Sequence, residues 1–133
     1  MGTLIEAKLS SGLRAASEAR ALVARLRERG LDGVLDDVTL LVSELVTNSY
    51  RYGGLQRGDA ISLTISQEGR AVRVEIADPG RGKTIPAPRR PTAEGGWGLE
   101  IVRRTADRWG ARKDGSGTVV WFELDIKTSK RVS

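Results

Sequence analysis

The chain of 133 residues contains no cysteine and no histidine. Without cysteine it can form neither a disulfide nor a thiolate metal site. Without histidine it cannot use Ser-His or Cys-His nucleophilic catalysis, hold a His-ligated zinc ion or carry a phosphohistidine. Long apolar runs and an N-terminal signal pattern are also missing, so we expect a cytoplasmic protein with no membrane partner.

The composition is that of a soluble globular domain, with 39% hydrophobic and 29% charged residues. Its length fits one domain, which we expect over residues 1–126, followed by a polar tail at 127–133. The net charge of +5 is compatible with a nucleic acid or a phosphorylated ligand. Because the arginines are scattered and no recognition-helix motif is present, we expect no direct nucleic-acid partner.

Two N-terminal segments have the spacing of helices. Apolar residues recur every three or four positions over 10–29, and Gly30 follows as a stop signal. A turn at 31–33 then leads to a second helix over about 36–52, which the glycine pair at 53–54 would end.

The rest of the chain predicts two hairpins around a long loop. Apolar and polar residues alternate over 61–65 and 72–76, and a second hairpin follows within 109–126. Between the hairpins lie an irregular loop at 77–98 and a third helix. The resulting order, α-α-β-β-loop-α-β-β, predicts an α+β fold with a mixed, mostly antiparallel sheet covered on one face by helices. One face of the third helix would carry Leu99, Val102, Ala106 and Trp109.

The second helix carries a polar pair beside its apolar face. Glu44 and Asn48 are i, i+4 neighbours at one edge of that face. Such a pair is common on the solvent shoulder of a surface helix. It also suits a metal-bound phosphate, because an Asn oxygen is a ligand for Mg²⁺ and a carboxylate can accept a proton from an attacking hydroxyl or water. The apolar face comprises Val38, Leu41, Val42, Leu45, Val46 and Ser49.

The loop at 77–98 contains all four prolines of the chain and two glycine clusters. In "DPGRG", Asp78 follows a strand and precedes Gly80 and Gly82. This is either a simple turn or a site where the carboxylate accepts a hydrogen bond from an exocyclic amine such as that of adenine. In "GGWG", Gly96 and Gly98 precede the third helix, whose free backbone N–H groups could bind phosphate. The alternative is that these glycines only end the loop.

Taken in order, four segments resemble the successive nucleotide-binding boxes of the GHKL ATPases: "LVSELVTNSYRYG", "VEIADPGRG", "GGWGLEIVRRTADRWG" and "SGTVVWFEL". The resemblance covers residues 11–124 and implies a two-layer α/β sandwich of the Bergerat type that binds ATP and Mg²⁺. It implies a lid at 83–97 and the following roles: Glu44 as general base, Asn48 as the Mg²⁺ ligand, Asp78 for the adenine amine, Gly80 and Gly82 beside it, Gly96, Gly98 and Leu99 at the phosphates, and Thr118 at the adenine end.

Within this superfamily the chain is similar to the stand-alone anti-sigma factor serine kinases, many of them actinobacterial. The resemblance implies phosphorylation of an anti-sigma factor antagonist of the STAS type, binding of a sigma factor, and a homodimer. One position departs from the pattern, because Tyr52 stands where relatives commonly have histidine. Together with the short lid, this leaves open an alternative function as a nucleotide-binding module that binds its partner without phosphoryl transfer.

Overall fold

The computed structural model describes residues 2–10, 12, 14–52, 58–79, 98–115 and 117–126. Three predicted features lie outside them: the helix stop at 53–54, the lid at 83–97 and the tail at 127–133. No helix in the described ranges is long and apolar enough to cross a membrane. The elements are β1 (Gly2–Ser10), α1 (Ala15–Ala24), a 3-10 helix (Arg25–Arg29), α2 (Asp32–Tyr52), β2 (Ala60–Glu68), β3 (Ala71–Asp78), α3 (Gly98–Thr105), β4 (Arg108–Asp114) and β5 (Gly117–Asp125).

The described strands form one five-stranded sheet in the order β1-β2-β3-β5-β4. Every pair of neighbouring strands in it is antiparallel. The part of the sheet that the structure describes is thus wholly antiparallel, which agrees with the prediction of a mostly antiparallel sheet. The reason is topological: α1 and α2 carry the chain out and back, so that β2 enters the sheet at the end where β1 leaves it.

The core lies between the helices and one face of the sheet. Alternate residues of β2, β3 and β5 point to this side because successive side chains of a strand face opposite ways. α2 contacts β3, β5, α1 and α3, so it is the central element of the helical layer. This is the predicted two-layer α+β architecture. The buried hydrophobic residues by which these three strands contribute to the core are Ile61, Leu63, Ile65, Val72, Val74, Ile76, Val120, Phe122 and Leu124.

The opposite face of the sheet carries a network of ion pairs. Arg73 donates to Glu75 and Glu123, at 3.1 and 2.8 Å. Arg108 donates to Glu123 at 2.6 Å and also to Asp125. These contacts cross three strands, from β3 through β5 to β4, on the face of the sheet that the helices of the described ranges leave uncovered.

The N-terminal prediction was wrong in two respects. Residues 2–10 form the edge strand β1, in which Ser10 pairs with Ala60 of β2, so the predicted helix at 10–29 cannot begin at Ser10. The helix that does form is also shorter, because its last turn tightens into the 3-10 helix. Gly30 ends this segment as predicted, with a left-handed φ of 75°.

Two further boundaries differ from the predictions. α2 begins at Asp32, within the predicted turn, because the Leu31 carbonyl accepts hydrogen bonds from the N–H groups of Val34 and Leu35 and starts the helix early. Trp109 lies in β4 opposite Phe122 and not on the third helix, which ends at Thr105. The two predicted hairpins, β2–β3 and β4–β5, are confirmed.

Candidate active site

α2 holds Glu44 and Asn48 on consecutive turns of its C-terminal half. Both residues are half-buried, whereas Leu41 and Leu45 on the neighbouring stripe are buried and Leu40 is exposed. The polar pair therefore lies on the border between the core and solvent. A carboxylate and an amide oxygen on this border can contact a bound group while the helix stays anchored by its apolar stripe.

Asp78 and Thr118 form a second pair, at one end of the sheet. Asp78 is the last residue of β3 and lies directly opposite Thr118 of β5. Asp78 is two residues from the buried Ile76, and Thr118 is two residues from the buried Val120. Because every second side chain of a strand points the same way, both residues face the helices. Thr118 is buried, and its hydroxyl accepts a long hydrogen bond of 3.5 Å from Lys113 Nζ.

The course of the chain brings α2 to this end of the sheet, which we call the Asp78 end. β1 finishes there, since Ser10 pairs with Ala60 at the start of β2. α1 departs from that point, and the 3-10 helix reaches the opposite end, where Arg25 lines an open groove together with Leu4 and Gln67. α2 therefore begins at the opposite end and returns, which places its C-terminal half at the Asp78 end.

α3 directs its N-terminus toward the same end. The helix leads into β4, whose first residue, Arg108, pairs with Glu123 at the far end of the sheet. Gly98, where α3 starts, accordingly points back toward the Asp78 end. Leu99 and Val102 are buried and fix the helix against the core. The first backbone N–H groups of any α-helix lack partners within the helix, so this terminus can bind an anion.

The structure thus places three of the predicted groups at the Asp78 end: the polar pair of α2, the β3–β5 pair, and the start of α3. The predicted residues Gly80, Gly82 and Gly96 lie outside the described residues, as does the rest of the lid. The described residues contain no cluster of three or more acidic side chains that could hold a metal ion alone. A cation at this site would need further oxygen ligands from the bound substrate and water.

Sequence reasoning missed a charged cluster on the first turns of α3. Glu100 is buried and accepts hydrogen bonds from Arg103, at 3.1 and 2.5 Å, and from Arg104, at 2.7 Å. The Arg103 guanidinium, followed by that of Arg104, holds the pKa of Glu100 below its ordinary value. The signal in the sequence was the i, i+3 and i+4 spacing of these three residues.

Two comparisons relate this geometry to known proteins. The sequence profile of the histidine kinase-like ATPase domain matches residues 9–124. No curated protein matches the chain in sequence. The fold is similar to that of the RsbU and RsbW domains of Rv1364c from Mycobacterium tuberculosis, with a TM-score of 0.72 and 21% identity over 95% of this chain and 33% of that chain. It is also similar to the Acinetobacter baumannii histidine kinase AdeS, with a TM-score of 0.50 and 14% identity over 93% and 68% of the two chains.

The chain therefore spans about a third of the length of the mycobacterial protein that it resembles. At identities of 21% and 14%, the structural similarity shows a shared fold only. That fold is an antiparallel sheet with one helical layer, as the GHKL resemblance implied. The profile match covers almost the whole chain and includes every element from α1 to β4 and all of β5 except its last residue. By this match and by its fold, the chain belongs to the histidine kinase-like ATPase domain family and is an ATP-binding domain of the GHKL type.

Proposed function

We propose that the chain is a protein serine/threonine kinase of the anti-sigma factor type. It binds Mg²⁺-ATP and phosphorylates an anti-sigma factor antagonist with a STAS domain. The observation that carries the proposal is the position of Glu44 and Asn48, half-buried on α2 at the end of the sheet where Asp78 and Thr118 also lie. The chain is similar in fold to a solved structure that contains an RsbW domain, and this similarity supports the proposed kinase type over others in the family.

In the proposed reaction Glu44 accepts the proton of a serine or threonine hydroxyl on the partner. The hydroxyl oxygen forms a bond to the γ-phosphorus, the bond from that phosphorus to the β–γ bridging oxygen breaks, and ADP leaves. Asn48 would supply one neutral oxygen ligand to Mg²⁺, and the ion would neutralise part of the phosphate charge. Asp78 accepts a hydrogen bond from the adenine amine, and Thr118 supports it from the adjacent strand.

The remaining residues of the proposed site bind phosphate. The backbone N–H groups at Gly98 and Leu99 face the phosphates from the start of α3, with Gly96 before them. Gly80 and Gly82 allow the backbone to approach the nucleotide closely.

A sigma factor is the second proposed partner, and the phosphorylation state of the antagonist decides which partner is bound. We also propose that the kinase acts in the cytoplasm as a homodimer.

The test is phosphoryl transfer from radiolabelled ATP. The purified chain is incubated with each STAS-domain protein of its source organism, and label on serine or threonine is measured. Transfer that requires Mg²⁺ and Glu44 supports the proposal. Tight binding of ATP and of a STAS protein without transfer favours the alternative, in which nucleotide only tunes partner affinity.

A further inference from the structure

Exposed apolar side chains on α2 lie beside the proposed catalytic residue. Within the residues that the structure describes, the large hydrophobic side chains left exposed are Leu40, at 44%, and Tyr50, at 39%. Single exposed hydrophobic residues are ordinary on protein surfaces. These two, however, belong to one row, since Leu40, Ser43, Thr47 and Tyr50 follow each other at i, i+3, i+7 and i+10. We call these four residues the α2 row.

The α2 row has the form of a helix-packing surface. Its spacing is the alternation of three and four residues that one helix uses to pack along another. The row is about 15 Å long, which matches two to three turns of a partner helix. Its two ends are large and its two middle residues are small and half-buried; Arg20 contacts Ser43, so the row has its hollow at Thr47. All four side chains are uncharged.

Glu44 borders this row. It follows Leu40 by four residues and precedes Thr47 by three, so it is a direct neighbour of both on the helix surface. Around the helix axis it lies roughly 40° from Leu40, on the side that leads to Asn48. A protein docked on the row would therefore lie against the carboxylate that is proposed to accept the hydroxyl proton.

Charges on the two borders of the row differ. Asp37 and Glu44 lie on the Asn48 side. On the other side, Arg20 donates to Ser43 Oγ at 3.4 Å, whereas the charges of Arg27 and Asp36, which lie 3.8 Å apart, offset each other. A partner helix with basic residues along one edge and acidic residues along the other would be held in one orientation.

From this geometry we infer that the α2 row is the docking surface for the phosphoacceptor protein, which contacts it through an amphipathic helix. The helix places apolar side chains between Leu40 and Tyr50, and basic side chains toward Asp37. Docking there brings the acceptor hydroxyl to Glu44. The inference rests on the proposed kinase function, and it accounts for exposed apolar residues on the one helix that also carries the catalytic pair.

The experiment compares the wild-type chain with two variants, Leu40→Ala/Tyr50→Ala and Thr47→Gln. The first removes the apolar ends of the row, and the second fills its hollow with a longer side chain that adds no charge beside Glu44. We expect KM for a STAS-domain substrate to rise about tenfold in each, since the loss equals the burial of roughly one large apolar side chain. The values of kcat and of the nucleotide Kd should stay within about twofold. Arg25→Ala, which replaces an exposed residue at the other end of the sheet, is the matched control.

Each outcome decides the inference. An unchanged KM in both variants overturns it while leaving the kinase function intact. If the wild-type chain transfers phosphate to no STAS-domain protein, the proposed function fails, and the same proteins are then tested for binding by calorimetry. Binding that weakens about tenfold in both row variants, but not in Arg25→Ala, supports the docking surface on its own. Binding that is absent, or equal in all variants, overturns it.

Discussion

Asp78 and Thr118 lie directly opposite each other in neighbouring strands, and both face the helical layer. Residues in such positions have Cβ atoms about 5 Å apart and interact directly or through one bound group. A carboxylate beside a buried hydroxyl gives this end of the sheet a hydrogen-bonding surface at the border of an otherwise apolar core. In an ATP-binding domain this surface suits the polar edge of adenine.

We expect Asp78→Asn to weaken ATP binding about tenfold, because an amide is a poorer acceptor than a carboxylate and its NH₂ group meets the adenine amine as a second donor. Isothermal titration calorimetry with ATP measures the change. Glu75→Gln is the matched control, since Glu75 is on the same strand but on the opposite face of the sheet. Wild-type affinity in Asp78→Asn would remove Asp78 from the adenine site.

We expect Glu44→Gln to lower phosphoryl transfer between a hundredfold and ten-thousandfold, the typical contribution of a general base. Nucleotide affinity should remain within about threefold of wild type, because the amide keeps the size of the side chain. Single-turnover transfer from radiolabelled ATP measures the rate, and a fluorescent nucleotide measures the affinity. Glu68→Gln, an exposed carboxylate at the far end of β2, serves as the control. Full transfer by Glu44→Gln would show that another group accepts the proton.

We expect Asn48→Ala to weaken binding of ATP about tenfold in the presence of Mg²⁺ and to leave binding unchanged when EDTA removes the metal. The reason is that the described residues include no acidic cluster to replace the lost oxygen ligand. Calorimetry under the two conditions separates a metal ligand from a residue that contacts the nucleotide. Equal weakening in both conditions would contradict the Mg²⁺ assignment.

The sequence predicted the place of Glu44 and Asn48 on the second helix better than it predicted where the elements begin and end. Glu44 and Asn48 could be placed because helical spacing depends only on neighbours along one helix. β1 was missed although Ile5, Ala7 and Leu9 alternate with polar residues. Its strand is fixed by pairing with β2, fifty or more positions away, and such pairing is not visible in local spacing.

The misplacement of Trp109 has a similar cause. Its spacing from Ala106 continues the pattern of α3, but the chain leaves the helix after Thr105 and the Asp107 N–H donates to the carbonyl of Glu123. β4 then pairs with β5, which comes later in the sequence, so this pairing overrides the local helical pattern.

The phosphate-binding role of the glycines was inferred from their order, and only Gly98 among them lies in the described part.

We expect Gly110→Ala to destabilise the chain by about 1–3 kcal/mol, as overpacking does. A Cβ at Gly110 would lie 2.7 Å from Nε1 of Trp121, and the Trp121 ring is held in place by the Arg73 guanidinium at 4.2 Å. Urea unfolding measures the loss. Gly12→Ala is the control, since no atom lies within 4 Å of a Cβ there. ATP affinity should not change, because Trp121 is on the face opposite the helices.

A double-mutant cycle tests the cause of that loss. In a Trp121→Val background the ring is absent, so Gly110→Ala should cost less than about 0.5 kcal/mol. An equal cost in both backgrounds would show that the loss comes from the backbone of β4 and not from the indole.

Glu123→Gln should lower the free energy of unfolding by about 1 kcal/mol near neutral pH, because the amide is uncharged and keeps only one oxygen to accept hydrogen bonds from Arg73 and Arg108. Arg108 first, and then Arg73, hold the pKa of Glu123 below its ordinary value of 4.5. The folded chain therefore takes up this proton less readily than the unfolded chain, so the stabilisation is complete above 4.5 and is lost as the pH falls through the lowered value. Urea titrations across this range should give a shallower acid-side slope for Glu123→Gln than for wild type and Glu68→Gln; equal slopes would contradict the assignment.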